Sequence, residues 1–168
     1  MKAVVQRVRS ASVTVDDKLI SVISRGLVVL LGVEVGDTQT DAEILASKIA
    51  GLRVFPSIIV QSTELSDVGE EATQLNKQWD RSVVAIDGEI LCISQFTLLA
   101  KVKKNKPGFH HAEKPDQALE LYNYAMDQMR KQFPGTDNEQ KVKPGVFGAY
   151  MQVALVNDGP VTIELASR

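Results

Sequence analysis

Apolar and more polar side chains alternate with a period of two along the first 15 residues, and this pattern constrains the fold more than any other. The positions that follow it are Val4, Gln6 and Val8, and then Ala11, Val13 and Val15. Successive side chains of a strand point to opposite faces, so the pattern is typical of half-buried strands. Asp16-Asp17 predicts a turn before residues 19–23. The chain is therefore predicted to begin as an antiparallel meander.

Two further segments of the first half have clear patterns. The continuous apolar run at residues 27–33, bounded by glycines, predicts a central strand that is buried on both faces. Thr40 followed by Glu43 fits a capping box, and apolar residues then recur at three- and four-residue spacing. A helix is therefore predicted over residues 40–52.

The second half is predicted to contain a strand, a helix and two more strands, over residues 89–97, 115–133, 150–156 and 161–165. A dense set of turn residues at 157–160 separates the last two strands. Strands outnumber helices by about three to one and do not alternate with them regularly, which argues against a doubly wound sheet. The predicted fold class is α+β: a curved, mainly antiparallel β-sheet or barrel with two covering helices.

Composition supports one domain. The chain has 168 residues, of which 44% are hydrophobic and 24% charged, and this length predicts a single domain over residues 1–168 that folds without disulfides or a structural metal. Cys92 is the only cysteine and lies in an apolar run, so a buried, unreactive thiol is expected. The uneven, acidic segment 57–80 is predicted to be a surface insertion.

Charge is unevenly distributed although the net charge is only −2. Five lysines and one acid lie between residues 101 and 114, so contact with a polyanion is predicted to be local. Charged residues interrupt the N-terminal apolar positions before a signal-peptide core forms, and the longest apolar run is too short to span a membrane. The sequence therefore predicts a cytoplasmic protein that does not bind membranes.

The segment Ser94-Gln95-Phe96-Thr97 places two hydroxyls and an amide at the end of an apolar strand. Backbone N–H groups leave the sheet there, so the segment can hold a nucleophile or oxyanion donors; alternatively, its side chains bond to neighbouring backbone. A Ser or Thr nucleophile needs a base, and the sequence shows no obvious His–Asp partner. The adjacent pair His110-His111 would point in different directions on regular backbone, which predicts no metal site.

Two other segments have both a plain and a functional interpretation. The Gly159-Pro160 step is typical of an ordinary turn, but it can also present carbonyl oxygens to a ligand. The lysines at 101–106 are typical of a solvated surface. With Phe109 close by, they also suit the phosphates and bases of a single-stranded RNA end.

Residues 1–8, 94–98, 147–151 and 157–162 form an ordered set of motifs that spans nearly the whole chain. Their order and spacing together resemble the D-aminoacyl-tRNA deacylase family of the Gly-cisPro type. The resemblance implies a homodimeric hydrolase that cleaves the ester between a D-amino acid and the 3′-terminal adenosine of tRNA. It also implies that glycyl-tRNA is accepted and that no metal or organic cofactor takes part.

The resemblance also implies roles for individual residues. Gly159-Pro160 is cis and reaches into the partner subunit's cavity, where carbonyl oxygens exclude an L side chain. Backbone N–H groups around Phe96 and Thr97 polarise the ester carbonyl, and water attacks with help from the terminal 2′-hydroxyl; the other possibility makes Thr97 the nucleophile. The remaining implied site residues are Ser94 and Gln95 beside Phe96, Arg7 holding the Gly-Pro segment, Phe147, Gly148 and Met151 lining the adenosine pocket, and Lys101, Lys103, Lys104 and Lys106 on acceptor-stem phosphates.

Plainer interpretations stay open for some of these residues: an ordinary surface ion pair for Arg7, and core packing for Met151. Two alternative functions also stay open. A non-catalytic RNA-binding module would use the lysines without turnover, but it has no need for a Gly159-Pro160 gate. An editing enzyme with a trans Gly-Pro step would accept small L residues, whereas Phe96 and Val161 resemble the D-specific pattern. The sequence therefore predicts chiral proofreading in translation, with tRNA and not DNA as partner.

Overall fold

The computed structural model describes residues 1–57, 77–136 and 138–168. These ranges contain β1 (Lys2–Val15), β2 (Lys18–Ile23), β3 (Gly26–Gly32), α1 (Gln39–Gly51), β4 (Glu89–Ser94), β5 (Lys101–Lys103), β6 (Lys106–Gly108), α2 (Pro115–Arg130), β7 (Val142–Pro144) and β8 (Gln152–Ala166). Short 3-10 helices lie at Phe96–Leu99 and Asn138–Lys141. Most of the predicted insertion at 57–80 lies outside the described residues; the amide of Ser57 donates to the carbonyl of Lys77 at 3.0 Å.

β1 is the centre of a curved six-stranded sheet. β8 pairs antiparallel with β1 along one edge, from Lys2 to Thr14, so β2 and β3 share the other edge. β4 and β7 extend the sheet beyond β3 in parallel. The predicted meander is wrong: within the described pairings, β2 and β3 both pair with β1 and not with each other. The chain thus begins as one long, bent hairpin.

Side-chain contacts between β2 and β7 bring the sheet close to a closed barrel. The Ser21 hydroxyl donates to the carbonyl of Pro144 at 2.6 Å, and Lys143 Nζ donates to the carbonyl of Val22 at 2.8 Å. Lys143 also forms an ion pair of 2.6 Å with Glu89. The predicted fold class is confirmed: a single α+β domain with a curved, mainly antiparallel sheet and two covering helices.

The sheet has an apolar core on each face, and the predicted central strand β3 contributes to both. Leu27, Val29 and Leu31 pack on the face covered by α1 and α2, whereas Val28 packs on the other face. Cys92 is fully buried on the helix side, and burial raises the pKa of its thiol to about 12. The thiol is therefore neutral and inaccessible, as predicted.

The capping box of α1 lies two residues before the predicted one. Thr38 is the N-cap, and the carboxylate of Asp41 accepts from its backbone N–H at 3.0 Å and from its hydroxyl at 2.9 Å. The prediction that Thr40 and Glu43 form the capping box is wrong. Thr38 and Asp41 have the same three-residue spacing, and they form it instead. An aspartate can close the box as well as a glutamate.

A polar cluster joins the start of β1, the start of α1 and the residues after β8. The α-ammonium of Met1 lies 2.6 Å from Asp37, both side chains being fully buried, and 2.8 Å from the Ser167 hydroxyl. Arg168 forms ion pairs with Asp37 at 2.8 Å and Asp41 at 3.0 Å. Burial acts to raise the pKa of Asp41, but hydrogen bonds from Ser167 and Thr38 and the charge of Arg168 lower it to about 2. The Asp41 carboxylate therefore stays ionised at neutral pH.

Candidate active site

A cavity of about 650 Å³ opens where β3 and β4 end. Its walls come from the ends of these two strands, residues 109–115, the first half of α2 and residues 147–153. Mostly apolar walls with a few polar groups are typical of a pocket for a small ligand. The lining residues are Leu31, Val33, Ile93, Ser94, Gln95, Phe96, Phe109, Ala112, Glu113, Lys114, Pro115, Ala118, Tyr122, Phe147, Gly148, Ala149, Tyr150, Met151 and Val153.

The first wall forms where the chain leaves β4. The strand ends at Ser94, and the backbone of Gln95 still donates to the carbonyl of Leu31 at 2.8 Å before the 3-10 helix Phe96–Leu99 begins. The prediction of a strand to residue 97 is wrong because the chain folds over Gly32. A Cβ atom at Gly32 would lie 2.9 Å from Leu99 Cδ2 and 3.1 Å from the carbonyl of Gln95.

Phe96 and Thr97 are the first residues of this 3-10 helix, and the first N–H groups of a helix have no partner within it. Phe96 lines the cavity, whereas Thr97 is exposed and lies just outside the lining. Within the described residues, the only side-chain hydrogen bond to the Thr97 hydroxyl is donated by the Gln95 amide. This wall therefore offers main-chain donors, but no base to activate Thr97.

The opposite wall is a tight turn after β7. The amide of Ala149 donates to the carbonyl of Val146 at 3.2 Å, and the amide of Val146 lies 3.3 Å from the Met151 sulfur. Gly148 has a φ of +72°, and nothing lies within 4 Å of the position where its Cβ would be. The turn therefore leaves open space above Gly148 and directs Met151 inward.

Tyr122, on α2, ties the two walls together. Its hydroxyl donates to the carbonyl of Cys92 at 2.7 Å, and the amide of Gly145 donates to the same carbonyl at 2.9 Å. Its ring lies 5.7 Å from the Phe147 ring between centroids. Burial raises the pKa of Tyr122, so the hydroxyl stays protonated and remains a donor.

Two aromatic residues of the cavity lining flank the lysine-rich loop in sequence. The rings of Phe96 and Phe109 meet edge to face with centroids 4.9 Å apart. Between them in sequence, the predicted lysine-rich loop is a short hairpin of β5 and β6, turning at Lys104 and Asn105 with φ angles of 50° and 62°. All four predicted lysines of this hairpin are exposed: Lys101, Lys103, Lys104 and Lys106.

Gly159 and Pro160 lie outside the lining of their own chain's cavity. The prediction of two strands joined by a turn is wrong, because β8 continues through them and pairs with β1 on both sides. On β1 the pairing passes from Gln6 to Val8, while on β8 it passes from Thr162 to Asn157, so residues 158–161 bulge from the ladder. The Gly159-Pro160 bond is cis, as the family resemblance implies.

Arg7 holds this bulge. Its Nε donates to the carbonyl of Asp158 at 2.8 Å and lies 3.3 Å from the Asp158 carboxylate. Its Nη1 donates to the carbonyl of Val54, in the segment after α1. Because Arg7 is only 8% exposed, the interpretation as an ordinary surface ion pair is wrong.

The structure brings six of the predicted site residues together in one cavity: Ser94, Gln95, Phe96, Phe147, Gly148 and Met151. Met151 also packs against the second apolar core, which confirms the core-packing interpretation, while its role in an adenosine pocket stays a prediction. Arg7, Gly159 and Pro160 form a separate group, and the lysines lie on the hairpin. A second, more open hollow of about 490 Å³ beside β2 and β7 contains none of the predicted residues.

Sequence reasoning missed Tyr122, Tyr150 and Asp158. Tyr122 lies within the predicted helix 115–133, and no sequence pattern shows that its hydroxyl reaches β4. Tyr150 lies inside the motif 147–151, but the family resemblance implies no role for it. Asp158 was read as a turn residue, and only the long-range contact with Arg7 distinguishes it.

No group of three or more His, Cys, Asp or Glu side chains in residues 1–57, 77–136 and 138–168 is arranged to hold a metal ion. Neither helix of the described ranges is long and apolar enough to cross a membrane.

Comparison with known proteins identifies the class. Residues 4–166 match the family described as D-Tyr-tRNA(Tyr) deacylase. The D-aminoacyl-tRNA deacylase of Yarrowia lipolytica is 49% identical over 98% of this chain and 96% of its own length. The human D-aminoacyl-tRNA deacylase 1 is 47% identical over 99% of this chain and 70% of its own length. A solved structure named c-Myc DNA Unwinding Element Binding Protein superposes with a TM-score of 0.84 at 47% identity, covering 100% of this chain and 99% of that one.

The fold, the cavity and these matches define a hydrolase of ester bonds. More specifically, the chain belongs to the D-Tyr-tRNA(Tyr) deacylase family, whose match covers almost its whole length.

Proposed function

We propose that this protein hydrolyses the ester of D-aminoacyl-tRNA in the 650 Å³ cavity, and that main-chain groups rather than side chains perform the chemistry and the chiral selection. The observation that carries the proposal is the cavity wall at Phe96, where helix-start N–H groups lie next to an apolar pocket and no base among the described residues bonds to the Thr97 hydroxyl. The terminal adenosine and the amino acid occupy the cavity. Glycyl-tRNA is also a substrate, because glycine has no side chain to exclude.

In this mechanism the N–H groups of Phe96 and Thr97 donate to the carbonyl oxygen of the ester. This oxygen gains negative charge as water attacks the carbonyl carbon. The bond to the 3′-oxygen of the adenosine then breaks, releasing the free D-amino acid and tRNA. The neighbouring 2′-hydroxyl of the substrate assists the proton transfer that no side chain of the wall provides. The protein needs no cofactor for this reaction.

The assay that tests the function compares D-tyrosyl-tRNA and L-tyrosyl-tRNA under single-turnover conditions. Hydrolysis of the D ester alone is expected. Equal rates on the two esters would contradict the proposed chiral selection. Salt-sensitive binding of uncharged tRNA without any cleavage would establish the non-catalytic alternative.

Replacing Thr97 with alanine is expected to leave most of the activity, within about tenfold, because its hydroxyl accepts from Gln95 and has no base. Single-turnover hydrolysis of D-tyrosyl-tRNA measures this, and Ser94→Ala is the matched hydroxyl deletion on the same wall. Complete loss of activity in a folded Thr97→Ala variant that still binds tRNA would make Thr97 the nucleophile.

Chiral selection requires a second copy of the chain in this proposal. Gly159 and Pro160 protrude from β8 beside apolar side chains exposed on the same strand, namely Val153, Leu155 and Val156. Exposed apolar patches of this kind mark contact surfaces. Two copies that associate through β8 would cover these side chains and place the Gly-Pro carbonyls of each in the other's cavity. An L side chain would collide with them, whereas Hα of the D isomer would fit.

The lysines of the β5–β6 hairpin bind acceptor-stem phosphates in this proposal, since phosphate contacts position a nucleic acid without reading its sequence. The net charge of −2 restricts this attraction to the hairpin. The protein acts in the cytoplasm, where charged tRNA is used. Duplex DNA is not the expected ligand, although one similar structure bears a DNA-related name.

The double variant Lys103→Ala/Lys104→Ala is expected to weaken binding of all tRNAs alike. The negative slope of log affinity against log salt should become shallower by about 2. Filter binding at several salt concentrations measures this. Lys18→Ala/Lys131→Ala removes two exposed lysines elsewhere and is the matched control. An unchanged salt slope in the hairpin variant would contradict phosphate binding there.

A further inference from the structure

Tyr150 is the most exposed large hydrophobic side chain of the described residues. It is 92% exposed, yet it lines the cavity. The other aromatic residues of the cavity include Phe96, which is 57% exposed, and Phe109, which is 36% exposed. Tyr150 is therefore the most exposed aromatic residue of the cavity lining.

The backbone under Tyr150 is firmly held. The amide of the preceding Ala149 donates a hydrogen bond to the carbonyl of Val146. The following Met151 is directed inward, and its sulfur accepts a hydrogen bond from the amide of Val146. Tyr150 is 92% exposed, whereas the neighbouring Met151 is half-buried. Two residues earlier, nothing lies within 4 Å of the position where a Cβ atom of Gly148 would be. A ring on a fixed turn with free space alongside can stack on a planar group at low entropic cost.

We infer that Tyr150 is a stacking subsite for the nucleobase that precedes the terminal adenosine of the tRNA. The inference rests on the proposed function, which places the terminal nucleoside in the cavity. The preceding nucleotide then has to leave through the same mouth, where Tyr150 and Lys114 stand. Base stacking on an exposed aromatic side chain and a nearby positive charge are the usual means of binding single-stranded RNA.

The experiment compares kcat/KM for three D-tyrosyl esters: of adenosine, of the dinucleotide cytidylyl-adenosine, and of the same dinucleotide with its first base removed. The wild-type protein is expected to prefer the full dinucleotide about tenfold over the other two. The abasic ester retains the phosphate, so the difference isolates the base. Tyr150→Ala should lower kcat/KM about tenfold more for the full dinucleotide ester than for the adenosine ester, which abolishes the preference, and Tyr150→Phe should keep it.

Trp79→Ala is the control, because Trp79 is also an exposed aromatic residue, at 58%, but does not line the cavity. Two results would overturn the inference. If Tyr150→Ala lowers kcat/KM for all three esters equally, or converts a dimer to a monomer, Tyr150 shapes the cavity or a contact between chains. If it changes none of them, no base stacks there. Failure of the wild-type protein on every ester would instead overturn the proposed function, and this inference with it.

Discussion

Replacing Gly159 with alanine is expected to slow hydrolysis of D-tyrosyl-tRNA by about 100-fold and to narrow the difference between D and L esters. Gly159 has a φ of +133°, an angle that residues with a side chain rarely adopt. A Cβ atom there would lie 2.9 Å from Val161 Cγ2 and 3.2 Å from Arg7 Nη2. The bulge must therefore shift. A displacement of about 1 Å in a positioning element typically costs about 10²-fold in rate.

Single-turnover rates on both isomers measure this effect, and gel filtration shows whether the variant still associates. Gly51→Ala is the matched control, because a Cβ at Gly51 meets nothing within 4 Å. A Gly159→Ala variant with the rate and selectivity of the wild-type protein would show that the bulge takes no part in selection.

This prediction depends on a feature that the sequence indicated only in part. The turn residues at 157–160 predicted an interruption of the last strand, and the structure places one there. Local signals could not show that the chain continues in the same direction afterwards, because that follows from pairing with β1 on both sides of the bulge. Direction of the chain after a turn is a property of the partner strand, which lies about 150 residues away in sequence.

The elements that were predicted well are those with long, regular patterns. The apolar run of β3 requires two covered faces, and Val28 and Val29 are indeed buried on opposite sides. The apolar stripe of α2 likewise predicted a helix from Pro115, although it ends at Arg130 rather than at residue 133. Short elements such as β7 gave no signal, because three residues are too few for a period.

The site was predictable where its residues form local motifs. Ser94 to Phe96 and Phe147 to Met151 are each continuous in sequence and line one cavity. Tyr122 could not be assigned, because a tyrosine in an apolar stripe looks the same whether or not its hydroxyl reaches a carbonyl on another element. Asp158 could not be assigned either, since only its ion pair with Arg7, which is distant in sequence, distinguishes it from an ordinary turn residue.

The second large effect is on stability: Asp37→Ala is expected to lower the free energy of unfolding by about 3–5 kcal/mol. The Asp37 side chain is fully buried, accepts from the α-ammonium of Met1 at 2.6 Å and from the amide of Glu34 at 2.6 Å, and pairs with Arg168. Its removal leaves the buried ammonium without its counter-charge and the amide without an acceptor. Both desolvated groups then oppose folding.

Urea unfolding of wild type, Asp37→Ala and Asp37→Asn measures this cost. The asparagine retains an oxygen acceptor but not the charge. The free energy of unfolding of Asp37→Asn should therefore lie between those of the wild-type protein and Asp37→Ala. Glu120→Ala, on the exposed face of α2, is the control and should change the free energy by no more than about 0.5 kcal/mol. If Asp37→Ala costs less than about 1 kcal/mol, Ser167 and solvent suffice for the ammonium. Because Asp37 lies apart from the cavity lining, the folded fraction of this variant should retain the selectivity of the wild-type protein, which separates the stability of the fold from the chemistry of the site.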